Sequence, residues 1–300
     1  MVQHEDSITQ LSGKRYDASQ LYDSDEESRI SPELNQEERR AIDRFEAIAT
    51  SVQKYLEEKF TVTFNDTTVP KFTFTEDEKT AIHPLTGEVF IPRSALTNLQ
   101  KIETAVVHEC LHYYADRWFD TRESEKQVIH GRKIGCSIRY MLEDRAVDGF
   151  GIFDEVLTVR LTKELCEANE LYWSKDTDSY LFESEVIQKL ITQKLPVAVR
   201  LWNTEGEVTE KKLHSVDEVL DVLEQAAWKQ KSHVTPEHRN IGRVFLALFA
   251  DTNIHATALA LRTQDPGEPK EVYEARILKL LDKSEISGTQ NSRQQLEIAK

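Results

Sequence analysis

The chain has 300 residues, enough to bury a sizeable core in one elaborated domain or two modest ones. Its formal charge of -15 argues against a nucleic-acid binder, whose affinity rests on clustered Lys and Arg, and leaves room for a cationic substrate or partner. No apolar run approaches the roughly 20 residues of a membrane-spanning helix, and the N-terminal stretch lacks the basic, apolar and small-residue order of a secretory signal. The sequence therefore predicts a cytoplasmic protein, with export by a dedicated secretion machine compatible with the same residues. Cys110, Cys136 and Cys166 are odd in number and show no CxxC spacing, so three free thiols in a reducing compartment are expected, Cys110 as a small packed residue.

In chain order, residues 1–30 are polar, acidic and aperiodic, and read as a disordered or loosely docked arm. Ser31-Pro32-Glu33 has the cap, proline and early acid of a helix start, and Ile42, Phe45, Ile48, Val52 and Leu56 carry helical spacing to about Lys59. The period then changes. TVTF, KFTFT and EVFIP are short β-branched or aromatic runs separated by turn residues, and read as strands. Ser94 is expected to cap a long helix with Ile102, Ala105, Val106, Leu111 and Ala115 on its buried side. Residues 131–153 read as a hairpin built on a strand over 134–141, with Glu143 and Asp144 in its charged turn. Asp154 can cap a helix over 155–172, and further helices are expected near 180–193, 195–203, 215–231, 236–263 and 269–282. The stripes over 215–283, including Val219, Leu223, Ile241, Val244 and Phe245, are core-forming. The predicted division is an arm over 1–30, a core over 31–195, a helical C-terminal subdomain over 196–285 and a fraying tail over 286–300.

The long helix contains His108-Glu109-Cys110-Leu111-His112. Histidines four apart lie one turn apart on the same helix face, so both can direct a ring nitrogen to one point, which is half of a tetrahedral zinc site. Glu109, next to the first ligand, is placed to take a proton from a water on the metal as general base. Zinc lowers the pKa of such a water from about 15.7 towards 7, so hydrolysis at neutral pH follows. The alternatives are a histidine pair that packs without a metal, a latent or non-catalytic binding protein, and a dedicated protease effector or toxin acting on one protein.

This context resembles the gluzincin branch of the HExxH zinc metallopeptidases over about residues 70–195. The resemblance implies a zincin-like α+β fold: a small, mostly antiparallel sheet packed on the HExxH helix, with helices following. It also implies a peptide or protein substrate. Gly149 to Thr162 is similar to the family's Asn-Glu-x-x-Thr-Glu-x-Leu-Thr segment, which makes Glu155 the third ligand beside His108 and His112. Glu143, Asp144 and Asp148 compete with it for that role. Asp154 stands where the family has Asn. Val159 stands where an acid commonly orients a ligand histidine, so that role is vacant or passes to Thr158 or Asp116. Tyr113, Tyr114, Tyr140, Tyr172 and Tyr180 are candidates to hold an oxyanion. His130 lacks the spacing of a third histidine ligand, and His83, His214, His233, His238 and His255 show no mutual ligand spacing. The edge of the strand around Glu88–Pro92 is a place for an extended peptide to align.

Overall fold

The computed structural model describes residues 34–64, 69–76, 79–83, 86–115, 117–123, 128–142, 145–149, 151–173, 180–203, 205–228, 239–249, 257, 260, 261 and 268–281. Between 116 and 150 it describes strand backbone, with side chains at positions 135 and 136. The acidic arm, Ser31-Pro32-Glu33, Asp116, Glu143, Asp144, His233, His238, His255 and the C-terminal tail lie outside the described residues, as do the side chains of His130, Tyr140 and Asp148.

The first helix, α1 (Gln36–Phe60), begins later than the Ser31 signal implies. Asn35 is the cap: its side chain accepts from the Glu38 N–H at 2.9 Å, and the Glu38 carboxylate accepts from the Asn35 N–H at 2.8 Å. This reciprocal pair satisfies two of the donors that a helix start leaves unmet. Phe45, Val52 and Leu56 are fully buried along its inner face. The TVTF run is not a strand. Thr61 takes a left-handed conformation that ends α1, and the Phe64 N–H returns to the Glu57 carboxylate.

Three short strands follow: β1 (Phe72–Thr75), β2 (Ala81–Ile82) and β3 (Val89–Pro92). They form a sheet of order β1-β3-β2, with β3 parallel to β1 and antiparallel to β2. A 3-10 segment, Arg93–Asn98, separates this sheet from α2 (Leu99–Tyr114), whose cap is Asn98 and not Ser94.

The segment over 131–153 read as one hairpin belongs to a larger four-stranded antiparallel meander: β4 (Arg117–Glu123), β5 (Val128–Ile134), β6 (Ser137–Leu142) and β7 (Arg145–Gly149). The run over 134–141 is broken by a tight turn at Gly135 and Cys136, and Ile134 pairs directly with Ser137. Next come α3 (Gly151–Ala168), which starts before Asp154, and α4 (Leu181–Thr192). The segment expected as a helix over 195–203 is instead β8 (Val197–Trp202), paired with β9 (Val208–Leu213). Its burial alternates, with Val197, Val199 and Leu201 inward and Ala198 and Arg200 outward, which is the period of a strand with one covered face. The chain continues as α5 (Val216–Trp228), α6 (Arg239–Phe249) and a helix over 270–281.

The architecture is α+β with small sheets. One connected cluster of buried apolar residues runs from Ala41 on α1 to Leu281 in the last helix. Trp228 at the end of α5 is part of it: its ring stacks on Phe60 at 6.4 Å, and its indole N–H donates to the Leu111 carbonyl at 3.0 Å. Leu111 lies in the last turn of α2, where carbonyls have no partner within the helix, so the indole supplies one in the dry interior. Among the described residues no helix is long and apolar enough to cross a membrane. All three cysteines are buried free thiols, as the spacing predicts.

Candidate metal centre

Helices α2 and α3 pack side by side in opposite directions. The early Thr104 hydroxyl donates to the Tyr172 carbonyl beyond the end of α3, while His112, late in α2, meets Asp154 and Glu155 in the first turns of α3. Four-residue spacing brings His108 and His112 together edge to face, with ring centroids 4.9 Å apart. The Nε2 atoms of the two rings and Oε2 of Glu155 form a triangle with sides of 3.2 Å. Ligands at about 2.0 Å from a tetrahedral ion stand about 3.3 Å apart, so this triangle has the size of one face of such a site. His108, His112 and Glu155 thus form a group that could hold a metal ion.

Chemistry supports the geometry. The Nδ1 atom of His112 lies 3.1 Å from Oδ2 of Asp154. A carboxylate only accepts, so Nδ1 carries a proton, and whenever the ring is neutral its lone pair lies at Nε2, the form that ligates. Burial raises the Glu155 pKa, but His112 and His108 outweigh it and hold that carboxyl well below its usual range. Burial likewise works against a charge on His112, yet Glu155 and Asp154 hold its pKa well above the ordinary histidine value. The same carboxylates favour any cation placed between the rings.

The orienting acid is therefore Asp154, which corrects two expectations. Asp154 does not cap α3: it is buried in the first turns of that helix, and its second oxygen accepts from the Cys136 N–H at 2.7 Å. Thr158 does not take the role, because its hydroxyl donates to the Asp154 carbonyl one turn back. Val159 belongs to the buried apolar residues. The sequence did contain a signal, a carboxylate directly before Glu155, but adjacency on a helix points the two side chains about 100° apart. Only the packing of the meander shows where Asp154 turns.

Glu109 is partly buried beside the triangle. Burial raises its pKa, His108 and His112 lower it, Glu155 raises it, and the net position is above the ordinary carboxylate value. The Ile82 backbone also hydrogen-bonds to this carboxylate, which places β2 alongside it. Among the described residues β3 is the central strand and β1 and β2 are the edges. The edge beside Glu109 is thus Ala81–Ile82 and not Glu88–Pro92, a correction that sequence alone could not supply because β2 is only two residues long.

Of the tyrosines with described side chains, Tyr180 lies against the centre, its ring stacked on His108 at 6.3 Å and 14°. Tyr113 and Tyr114 pack edge to face on each other, and Tyr172 is 42% exposed beyond α3. Cys110 is fully buried with its thiol pKa pushed up by burial, a packing residue as expected. Comparison with protein-family models, with curated proteins and with solved structures finds no match. The reading of the site thus stands on its own residues.

Proposed function

We propose that this protein is a zinc-dependent peptidase with a zincin-like catalytic core, in which His108, His112 and Glu155 hold one zinc ion. The observation that carries the reading is the triangle of two imidazole lone pairs and one carboxylate oxygen with Glu109 beside it. Two histidines and one carboxylate are a donor set that zinc accepts in catalytic sites, with the remaining position open.

Zinc, when bound, supplies Lewis acidity that polarises a scissile carbonyl and acidifies water. Glu109 takes the proton from the attacking water and delivers it to the leaving amine, and its raised pKa suits both halves of that transfer. Asp154 holds His112 in the ligating tautomer throughout. The β2 edge offers main-chain hydrogen bonds to an extended peptide next to Glu109, and Tyr180 is the tyrosine best located to steady an oxyanion. The substrate is a peptide or protein, and a cytoplasmic location goes with the reading.

The test is digestion of a mixed peptide library by the wild type, by the chelated protein with and without zinc restored, and by Glu109→Gln. Glu109→Gln should retain zinc and lose peptide cleavage by at least about 100-fold. Cleavage that survives in that variant, or that needs no metal, would overturn the mechanism.

A further inference from the structure

His112 is aimed by Asp154, and Asp154 is itself aimed by a turn in the meander. Both carboxylate oxygens are used: Oδ2 accepts from His112 Nδ1 at 3.1 Å and Oδ1 from the Cys136 N–H at 2.7 Å. Cys136 is fully buried, with its thiol 3.9 Å from the Leu223 carbonyl of α5, so the turn is gripped between α3 and α5. Gly135 precedes it at φ +54, a left-handed conformation that L side chains rarely adopt. A turn of this kind explains a glycine by backbone conformation alone. Here a second reason exists, because a Cβ at position 135 would overlap Oδ1 of Asp154.

We propose that the Gly135–Cys136 turn is a positioning element of the metal centre. The Cys136 N–H fixes the Asp154 carboxylate so that it holds the His112 lone pair on the metal, and Gly135 leaves the space in which that carboxylate sits. The inference rests on the reading that His108, His112 and Glu155 bind zinc. It extends the site to a residue pair that ligates nothing, and it gives the meander between α2 and α3 a role in metal affinity.

The requirement for a carboxylate follows from counting acceptors. Asp154 serves two donors with two acceptor oxygens, whereas an amide offers one acceptor oxygen and one donor group. In Asp154→Asn either the Cys136 N–H loses its partner or the amide NH2 faces His112 Nδ1. The second arrangement drives the ring to the tautomer whose Nε2 bears the proton and cannot ligate.

The experiment measures zinc affinity by competition with a chromophoric chelator for the wild type, Gly135→Ala, Asp154→Asn, Asp154→Ala and the Gly135→Ala/Asp154→Ala double variant. Thermal melts of the metal-free proteins run alongside. Gly135→Ala and Asp154→Asn should each weaken zinc binding by about 10–100-fold. Gly135→Ala should add little in the Asp154→Ala background, because the carboxylate it displaces is gone. A general loss of stability would lower the melts without that non-additivity. Wild-type affinity in Gly135→Ala, or its full effect repeated on Asp154→Ala, would overturn the proposal. Should Gly135→Ala fail to fold, Asp154→Asn tests the same relay with the turn intact, and unchanged affinity there would also overturn it. A wild type that binds no zinc would instead remove the metal-centre reading beneath it.

Discussion

Helix α3 presents carboxylates on two sides, and the two sides do different work. Towards α2, Asp154 and Glu155 meet imidazoles, and two ring nitrogens and a carboxylate oxygen converge at 3.2 Å. Towards α1 and α5, Glu164 meets Lys59 and Tyr55, while Glu224 of α5 lies 3.0 Å from Arg160 and 3.4 Å from Lys59. In the second cluster each carboxylate faces a side-chain cation, with Asp217 and Asp221 on its exposed rim. That arrangement ties three helices together. In the first, two imidazoles converge on the Glu155 carboxylate beside Asp154, a set of groups that an added cation could bridge. Buried charge alone does not mark a site; the partner it faces does.

The contrast breaks most visibly under substitutions of the ligands. His112→Ala should reduce zinc binding from one ion per chain to background and remove hydrolysis with it, as measured by metal analysis after dialysis, while the α1, α3 and α5 cluster keeps the fold. On the other side, Arg160→Met should do the reverse. It leaves Glu224, Asp221 and Glu164 short of a cation and should cost about 3 kcal/mol in urea denaturation, with zinc stoichiometry retained. Loss of zinc in Arg160→Met at a pH where the variant is folded would show that the two sides are not separate.

The ionic cluster also has a pH signature. Burial raises the Glu224 pKa to about 7, with Lys59 and Arg160 pulling it down and Glu164 and Asp221 adding to the rise. A carboxyl raised in the folded state contributes stability that is complete below its unfolded pKa and lost as pH climbs through the folded one. From pH 5 to 8 the wild type should therefore lose up to about 3 kcal/mol relative to Glu224→Gln, read from denaturation curves across that range. Parallel curves would place the Glu224 pKa near its ordinary value. The smallest effect is expected at the junction of the two regions. Trp228→Phe removes the donor to the Leu111 carbonyl and should cost about 1–3 kcal/mol without changing zinc stoichiometry.

The pentapeptide at 108–112 was legible because helix periodicity alone brings positions four apart onto one face, whereas Glu155 was singled out by the likeness of Gly149 to Thr162 to a third-ligand segment, and the packing of α3 on α2 brings it to the two histidines. Three features were not legible. Asp154 binds a turn 18 residues earlier in the chain, a contact set by the register of β5 on β6. Strand β3 is central rather than an edge, since it gains a parallel neighbour in β1 that no local pattern announces. Strand β8 falls where a helix over 195–203 was expected; the alternation of Val197, Val199 and Leu201 was the signal to follow. Gly135, inside a run taken as one strand, was a turn signal of the same kind.

Anomalous diffraction at the zinc edge from crystals grown with zinc tests the central claim most directly. A single peak about 2.0–2.2 Å from Nε2 of His108, Nε2 of His112 and a carboxylate oxygen of Glu155 is the result expected. A peak elsewhere, or no peak between those three atoms, would contradict it.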